Sequence, residues 1–297
     1  MRLFLASRFA THNWTPGHLR GISPKRNAME NVLTFIIPVR HQDNAKNWPR
    51  VKRTLTETAR SIAAQKSEGW KAVVIANHGA DLPTLPKGFD VARVDFPPNQ
   101  LHAKGNATRG QFFEAFRIDK GRRVLAGMLH AGEMGHVMIV DDDDFVSNRL
   151  TGFVAANRQA NGWYLGEGHV WSDGGWLLYR HPDFSNTCGS SHVVRSDLYR
   201  LPPSFEVADD TYISQMLGSH IFLHEQLEAS GTPLAPLPFL GAVYRIGHPE
   251  AHSQSDSIPR KYFLDRDLLR QKKEFCRRIF RLGLKTRGIE REFFGRV

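Results

Sequence analysis

Four consecutive carboxylates, Asp141-Asp142-Asp143-Asp144, follow directly on the apolar run Val137-Met138-Ile139-Val140. Adjacent carboxylates repel one another, and a cation relieves the repulsion. Hard oxygen ligands on alternate residues suit Mg²⁺ or Mn²⁺, which bind through one or two carboxylates together with substrate phosphates. A solvated acidic turn is the plain alternative. Placement at the end of a buried strand favours a site, because ligands of open α/β sheets lie beyond the carboxyl ends of the strands. Glu167-Gly168-His169-Val170-Trp171 mixes aromatic and polar groups, and suits either a sugar ring or a packed core. Lys104 and Arg109, read as part of a Gly-containing loop, could reach a diphosphate or be ordinary surface charge.

The elements that must position these residues can be read from periodicity. Leu33 to Val39 is short, apolar and β-branched, as a buried parallel strand is. Asn47 and Pro49 predict a helix start, with Val51, Leu55, Ala59, Ile62 and Ala63 on one face. Ala72–Ala76 reads as a second strand closed by Asn77-His78-Gly79, and Val91–Asp95 as a weaker third. A helix over about 122–131 precedes the strand His136–Val140. This order predicts an α/β fold with an open, mostly parallel sheet, and it gathers Pro38-Val39-Arg40, Asn77 and the aspartates on one rim. Further on, strand-like pieces at Trp163–Leu165 and Trp176–Tyr179 precede a helix from Asp210 to about Leu227. The segment 263–284 has a helical pattern in which Leu268, Phe275, Ile279 and Leu282 form an apolar stripe among Lys272, Lys273, Arg277, Arg278 and Arg281.

In order and spacing, these segments resemble the family-2-like glycosyltransferases of the GT-A (nucleotide-diphosphosugar transferase) fold. Ser61–Gln65 followed by Ala72–Gly79 resembles their helix-then-strand opening, and the strand ending Ile37-Pro38-Val39-Arg40 is similar to their first. Lys120-Gly121-Arg122-Arg123 through Gly127 resembles the basic, Gly-containing helix before the metal motif. Asp141–Asp144 matches the DxD stretch. Cys188–Arg195 resembles the glycine-containing segment before an outward arginine, and Ala208-Asp209-Asp210-Thr211 the acidic pair opening the catalytic helix. Tyr244–Ser253 resembles the late histidine region that closes over the diphosphate. The likeness spans roughly residues 33–255.

The resemblance implies a mostly parallel central sheet flanked by helices, with a nucleotide-binding half over 33–145 and an acceptor half over 146–258. Pro38 and Arg40 would border the nucleotide base. Asn77 stands where the family usually has an aspartate, which leaves the base identity open. Lys120 and Arg123 join the nucleotide-binding set. Asp141 would contact the ribose, or the metal through water, with Asp142 beside it. Asp143 would ligate the metal, Asp144 taking its place if the register moves by one, with His248 or His252 as an imidazole ligand. Asp210, after Asp209, would be the general base; the plain reading of Asp210 is a helix N-cap. The implied reaction moves a hexosyl or N-acetylhexosaminyl group from a nucleotide diphosphosugar, taken as UDP-linked, to a glycan or lipid-linked hydroxyl. Mn²⁺ or Mg²⁺ is the cofactor, the anomeric carbon inverts, and cell-envelope polysaccharide synthesis is the setting.

Two rivals stand beside this reading. Asp142-Asp143-Asp144-Phe145-Val146 also reads as the DxDxV nucleophile motif of HAD-like phosphohydrolases, although about 140 residues precede it. A non-catalytic sugar-binding protein of the same fold is the other.

Composition narrows the classes further. With 41% hydrophobic and 24% charged residues, the 297-residue chain is ordinary for a globular protein. Its net charge of +10 belongs to its ends: a basic N-terminal arm (1–32) carries +4 and a basic amphipathic tail (259–297) +8, while 33–258 sums to −2. That distribution argues against a nucleic-acid reader. Two cysteines make no disulfide framework and suit a reducing, cytoplasmic setting. No apolar run reaches the length of a spanning helix. The tail suits either an amphipathic helix packed on the catalytic domain or peripheral contact with the inner face of a membrane.

Overall fold

The computed structural model describes residues 31–101, 108–248, 257–264 and 270–296. Val32 and Asn31 are thus the only described part of the basic arm, and Lys104, His252 and Leu268 lie outside the described residues. The chain forms a mixed α/β structure in which a central sheet is flanked by helices.

Strands β1 (Leu33–Pro38), β2 (Trp70–Asn77), β3 (Phe89–Val94) and β4 (His136–Ile139) are the predicted apolar runs. They pair in parallel in the order β3-β2-β1-β4. The sheet continues through β9 (His192–Arg195), β6 (Gly162–Tyr164) and β10 (Ala235–Pro236). Only β9 runs against the rest, so the sheet is mostly parallel, as expected.

Side chains of β1 alternate between two cores, as a period of two requires. Leu33, Phe35 and Ile37 join the core on one face with Val51, Leu55 and Ile62 of α1 (Trp48–Ala63) and with Leu150 and Val154 of the later helix α3 (Leu150–Ala156). Ile36 joins Val73, Ile75, Val137 and Ile139 on the other, under Val124, Leu125 and Met128 of α2 (Arg109–Ala131). Each fully buried Leu, Ile or Phe contributes roughly 1.5–3 kcal/mol. The cap of α1 is the predicted one, with the Asn47 side chain accepting from the Arg50 N–H at 3.0 Å.

Three expectations need correction. Helix α2 begins at Arg109, far ahead of 122, behind a reciprocal cap between Thr108 and Gln111; Gly110, Gly121 and scattered charges hide its period. Arg109 is thus a helix residue, exposed, with its guanidinium over Phe113 at 5.6 Å. The helix expected from Asp210 to Leu227 is broken into α4 (Asp210–Tyr212), a π turn (Ile213–Leu217) and α5 (His220–Ala229). Gly218 and the Ser219 cap, which accepts from the Phe222 N–H, separate the last two. The tail is not one helix. Between α6 (Ile258–Tyr262) and α8 (Arg287–Phe293) it contains α7 (Lys272–Ile279) and strand β12 (Leu282–Leu284).

Strand β12 edges a second sheet, ordered β12-β8-β7-β11-β5, which the sequence reading did not anticipate. Its members are β5 (Phe145–Val146), β7 (Gly168–Ser172), β8 (Leu177–His181) and β11 (Ala242–Ile246). Phe293 and Phe294 of the chain's last segment pack there with Phe145 and Trp171. Trp171 is buried in that cluster, and Glu167 pairs with Arg180 on the surface. The packed-core reading of 167–171 is the one that holds for Trp171.

Candidate active site at the strand ends

Pro38, Asn77 and the aspartates leave β1, β2 and β4 at the same rim, because these strands are parallel and adjacent. Arg40 and His41 follow Pro38 and are buried there. The aspartate run makes a tight turn in which the Asp144 N–H donates to the Asp141 carbonyl at 3.1 Å. That turn sends four identical side chains in different directions.

Asp141 faces α2 and accepts from the Lys120 ammonium at 2.5 Å, while its backbone N–H donates to Ser190 Oγ at 2.8 Å. Burial lowers the Lys120 pKa, but the charge and hydrogen bond of Asp141 outweigh it and hold the ammonium above its usual range. Gly189 lies against this pair. A Cβ there would come within 2.4 Å of Asp141 Oδ2 and 2.8 Å of Lys120 Nζ, so a side chain at this position would have to displace the ion pair.

Asp142 is 2% exposed, and its Oδ2 has no hydrogen-bond partner. Burial raises its pKa to about 7; Arg40 opposes the rise, and Asp143 and Asp141 add to it. Asp143 stands 2.9 Å from His248 Nε2. Burial pushes Asp143 up, but the His248 hydrogen bond and charge, with Arg40 and Arg245, prevail and hold the carboxyl below its usual range. His248 is reached from β11 through Gly247, whose φ of +76° turns the chain into the site. Its Nδ1 is buried and unpaired.

Asp144 points the other way, into the protein. It accepts from Ser190 Oγ at 2.7 Å, from the Arg245 N–H at 3.1 Å and from the Cys188 thiol at 3.2 Å. Burial, then Asp143 and Asp141, raises its pKa well above the carboxylate range. Its oxygens are thus spoken for within the protein, and Asp144 anchors the turn from inside.

Asn77 is also fully engaged. Its Oδ1 accepts from Arg123 at 2.7 Å and its Nδ2 donates to the Phe96 carbonyl at 2.6 Å. Arg123, 1% exposed, is further held by Asp119 at 3.0 and 3.2 Å. The pair stiffens the end of β2 beside α2.

The structure therefore brings Arg40, Lys120, Asp141, Asp142, Asp143 and His248 together, with Pro38, Asn77 and Arg123 behind them. The Asp209–Asp210 pair is placed differently. Asp209 is the N-cap, accepting from the Tyr212 N–H at 2.8 Å, so the cap reading belongs to Asp209 rather than Asp210. Asp210 is 61% exposed and bonded to Arg122 at 3.0 Å. Arg122 and Lys120 are two residues apart on α2 and project about 160° apart around it. The partners of Asp210 and Asp141 thus leave opposite sides of that helix. What joins the two regions is Gly121, where a Cβ would lie 2.3 Å from the Ile213 carbonyl; its absence lets the π turn after Asp210 close on α2.

Ser190 and Arg245 are the site-building residues that sequence reasoning missed. Ser190 Oγ bridges Asp141 and Asp144. Arg245, 0% exposed, pairs with Glu57 at 2.6 Å and stacks over Phe145 at 4.5 Å. A charged residue inside the apolar strand Ala242–Ile246 was the available signal for Arg245; nothing distinguished Ser190 from Ser191.

Among the described residues no three His, Cys, Asp or Glu side chains stand together as a complete metal cage. The donor set here is smaller: the pair Asp143 and His248, with Asp142 next to it in the turn. That fits a cation whose remaining ligands come from a substrate.

No family model and no curated protein matches the chain. Among solved structures it is similar to S. aureus TarS 1–349, at 12% identity and a TM-score of 0.40, over 72% of this chain and 60% of that one. The same protein in complex with UDP-GlcNAc matches at 13% and 0.40, over 75% and 61%. The chain thus spans about 60% of the length of these TarS structures. Rv0371C of Mycobacterium tuberculosis H37Rv, in complex with manganese, matches at 10% and 0.33, over 71% and 90%. Likeness at this level is loose, and the strand-end geometry is what bears on function.

Proposed function

We propose that the chain is a metal-dependent glycosyltransferase of the GT-A type, acting on a nucleotide diphosphosugar. The observation that carries the reading is the pairing of buried Asp143 with His248 beside the unpaired oxygen of Asp142, at the carboxyl ends of parallel strands. Buried carboxylates need compensation, and here one oxygen has none within the protein. Asp143 and His248 would hold Mn²⁺ or Mg²⁺, with Asp142 adjacent. The bound cation would offset the charge growing on the leaving diphosphate.

The remaining roles belong to the chain's own groups. Arg40 is buried beside Asp142 and Asp143 and Lys120 flanks Asp141, and both cations would suit the anionic end of a donor. Asp141, fixed by Lys120 and Ser190, has a carboxylate suited to ribose hydroxyls. Asn77 has both polar atoms engaged by protein, so the rim around Pro38 and Arg40 is left to read the base, taken as uracil. Asp210 is the acceptor-side base in this reading, and must exchange Arg122 for the acceptor hydroxyl before it can take the proton. Inversion at the anomeric carbon follows from a single base opposite the leaving group, and rests on the family resemblance. A hexosyl or N-acetylhexosaminyl group and a glycan or lipid-linked acceptor complete the proposal.

The phosphohydrolase rival needs Asp142 and Asp144 both open to a phosphate, and Asp144 is closed by Ser190, Cys188 and Arg245. Incubating the protein with UDP-linked hexoses and N-acetylhexosamines in Mn²⁺ separates the two. Transfer predicts release of UDP. Inorganic phosphate, or a phosphoaspartate trapped at Asp142, would support the rival.

A further inference from the structure

Of the apolar stripe expected in the tail, Phe275 and Leu282 are half-buried and Ile279 is exposed. Phe275 meets Phe263 edge-on at 6.1 Å, and Arg278 donates to the Tyr262 carbonyl at 3.0 Å. These contacts pin α7 to the chain by one side and fix which side looks out. The outward side carries Lys272, Lys273, Cys276, Arg277 and Phe280, spaced i, i+1, i+4, i+5 and i+8, which is one helical face. Together with Arg281 they line one shallow groove. Phe280 is 88% exposed, and Ile279 at the border of the face is 44% exposed. Within residues 270–281 six Lys or Arg stand against Glu274 alone, and Glu274 is already shared between Arg277 and Arg278 at 3.0 and 3.2 Å.

We propose that this outward face docks on an anionic lipid surface, with Phe280 inserted at the headgroup level and Lys272, Lys273 and Arg277 on the phosphates. Two features select a bilayer over an acidic protein. The cations surround a protruding aromatic side chain with little of its own chain against it, and a folded partner would need a matching pocket for it. A bilayer interface accepts an aromatic ring anywhere on its area, and draws basic side chains to its charge. The inference is independent of the proposed chemistry, since none of these residues lies at the strand ends.

Co-sedimentation of the full chain with phosphatidylglycerol–phosphatidylcholine vesicles, and with pure phosphatidylcholine, tests it. Pelleting is expected only with the anionic vesicles, and should weaken as salt rises. Phe280→Ser should lower partitioning about tenfold or more, and the pair Lys272→Glu/Lys273→Glu by at least about fivefold per position. The equal charge change Lys87→Glu/Arg158→Glu, at exposed positions elsewhere, should change it far less. Cys276 is exposed and Cys188 buried, so an environment-sensitive dye placed on Cys276 reads the face directly. A blue shift is expected with anionic vesicles and not with soluble polyglutamate. Equal losses in both charge-reversal pairs, an unaffected Phe280→Ser protein of unchanged melting temperature, or the same dye response to polyglutamate would each overturn the proposal.

Discussion

The chain holds two groups of adjacent aspartates, and their surroundings make them different chemical objects. Asp141–Asp144 leave a central strand among Arg40, Lys120, Ser190, Arg245 and His248; burial and neighbouring carboxylates raise Asp142 and Asp144, while the His248 hydrogen bond and charge hold Asp143 down. Asp209 and Asp210 open a three-residue helix at the surface, where water screens them and each has one partner. A run of carboxylates is thus not a site by itself. It becomes one when the sheet withdraws it from water and leaves oxygens without partners.

Substitutions in the two groups should differ in both kind and size of effect. If Asp210 is the base, Asp210→Asn should lower turnover about 10²-fold or more while donor binding is kept. Arg122→Gln should not reproduce that loss, because it only frees the carboxylate. Single-turnover rates check both, and normal turnover in Asp210→Asn would reduce the surface pair to structure.

The buried group should respond to pH in the sense its shift dictates. The folded pKa of Asp142, about 7, lies above its unfolded value near 3.8. The native state therefore binds the extra proton between these limits, and the stability this proton confers is lost as pH rises through them. In metal-free protein, Asp142→Asn should raise the melting temperature at pH 8 by several degrees, at about 2–4 °C per kcal/mol. Near pH 4 or below, where the native carboxyl is already protonated, it should change little. Thermal melts at the two pH values check this; equal effects at both would mean that burial does not control Asp142.

At the small end, Asp209→Ala removes only a cap, worth about 1 kcal/mol. Melting should shift by a few degrees, with donor binding unchanged. A large loss of donor binding would put Asp209 inside the site.

Much of this was legible in the sequence. The strands β1, β2 and β4 are continuous apolar runs, and the parallel order that follows from the intervening helices brings Pro38, Asn77 and the aspartates to one rim. The division of labour within Asp141–Asp144 was not legible. Four identical residues carry no pattern, and the turn that sends Asp143 to His248 and Asp144 to Ser190 is set by contacts more than 40 positions away. Of the second sheet only β8 was legible, as the strand-like piece at Trp176–Tyr179; β5 and β12 have two and three residues, too few for a period to register, and nothing local tied these pieces into one sheet. The tail's stripe was real in sequence, but Phe263 captured Phe275, and β12 ended the helical run by pairing with β8.

Under the proposed function, Asp143 and His248 hold a cation that in turn holds a nucleoside diphosphate. Calorimetric titration of UDP into the protein, with and without Mn²⁺, tests it most directly when repeated on Asp143→Ala, with melting temperature as the check on folding. Binding by the wild-type protein in Mn²⁺ is expected, lost when Mn²⁺ is omitted and lost equally in the folded Asp143→Ala variant. Mn²⁺-dependent binding of the same affinity in Asp143→Ala, or wild-type binding indifferent to Mn²⁺, would contradict it.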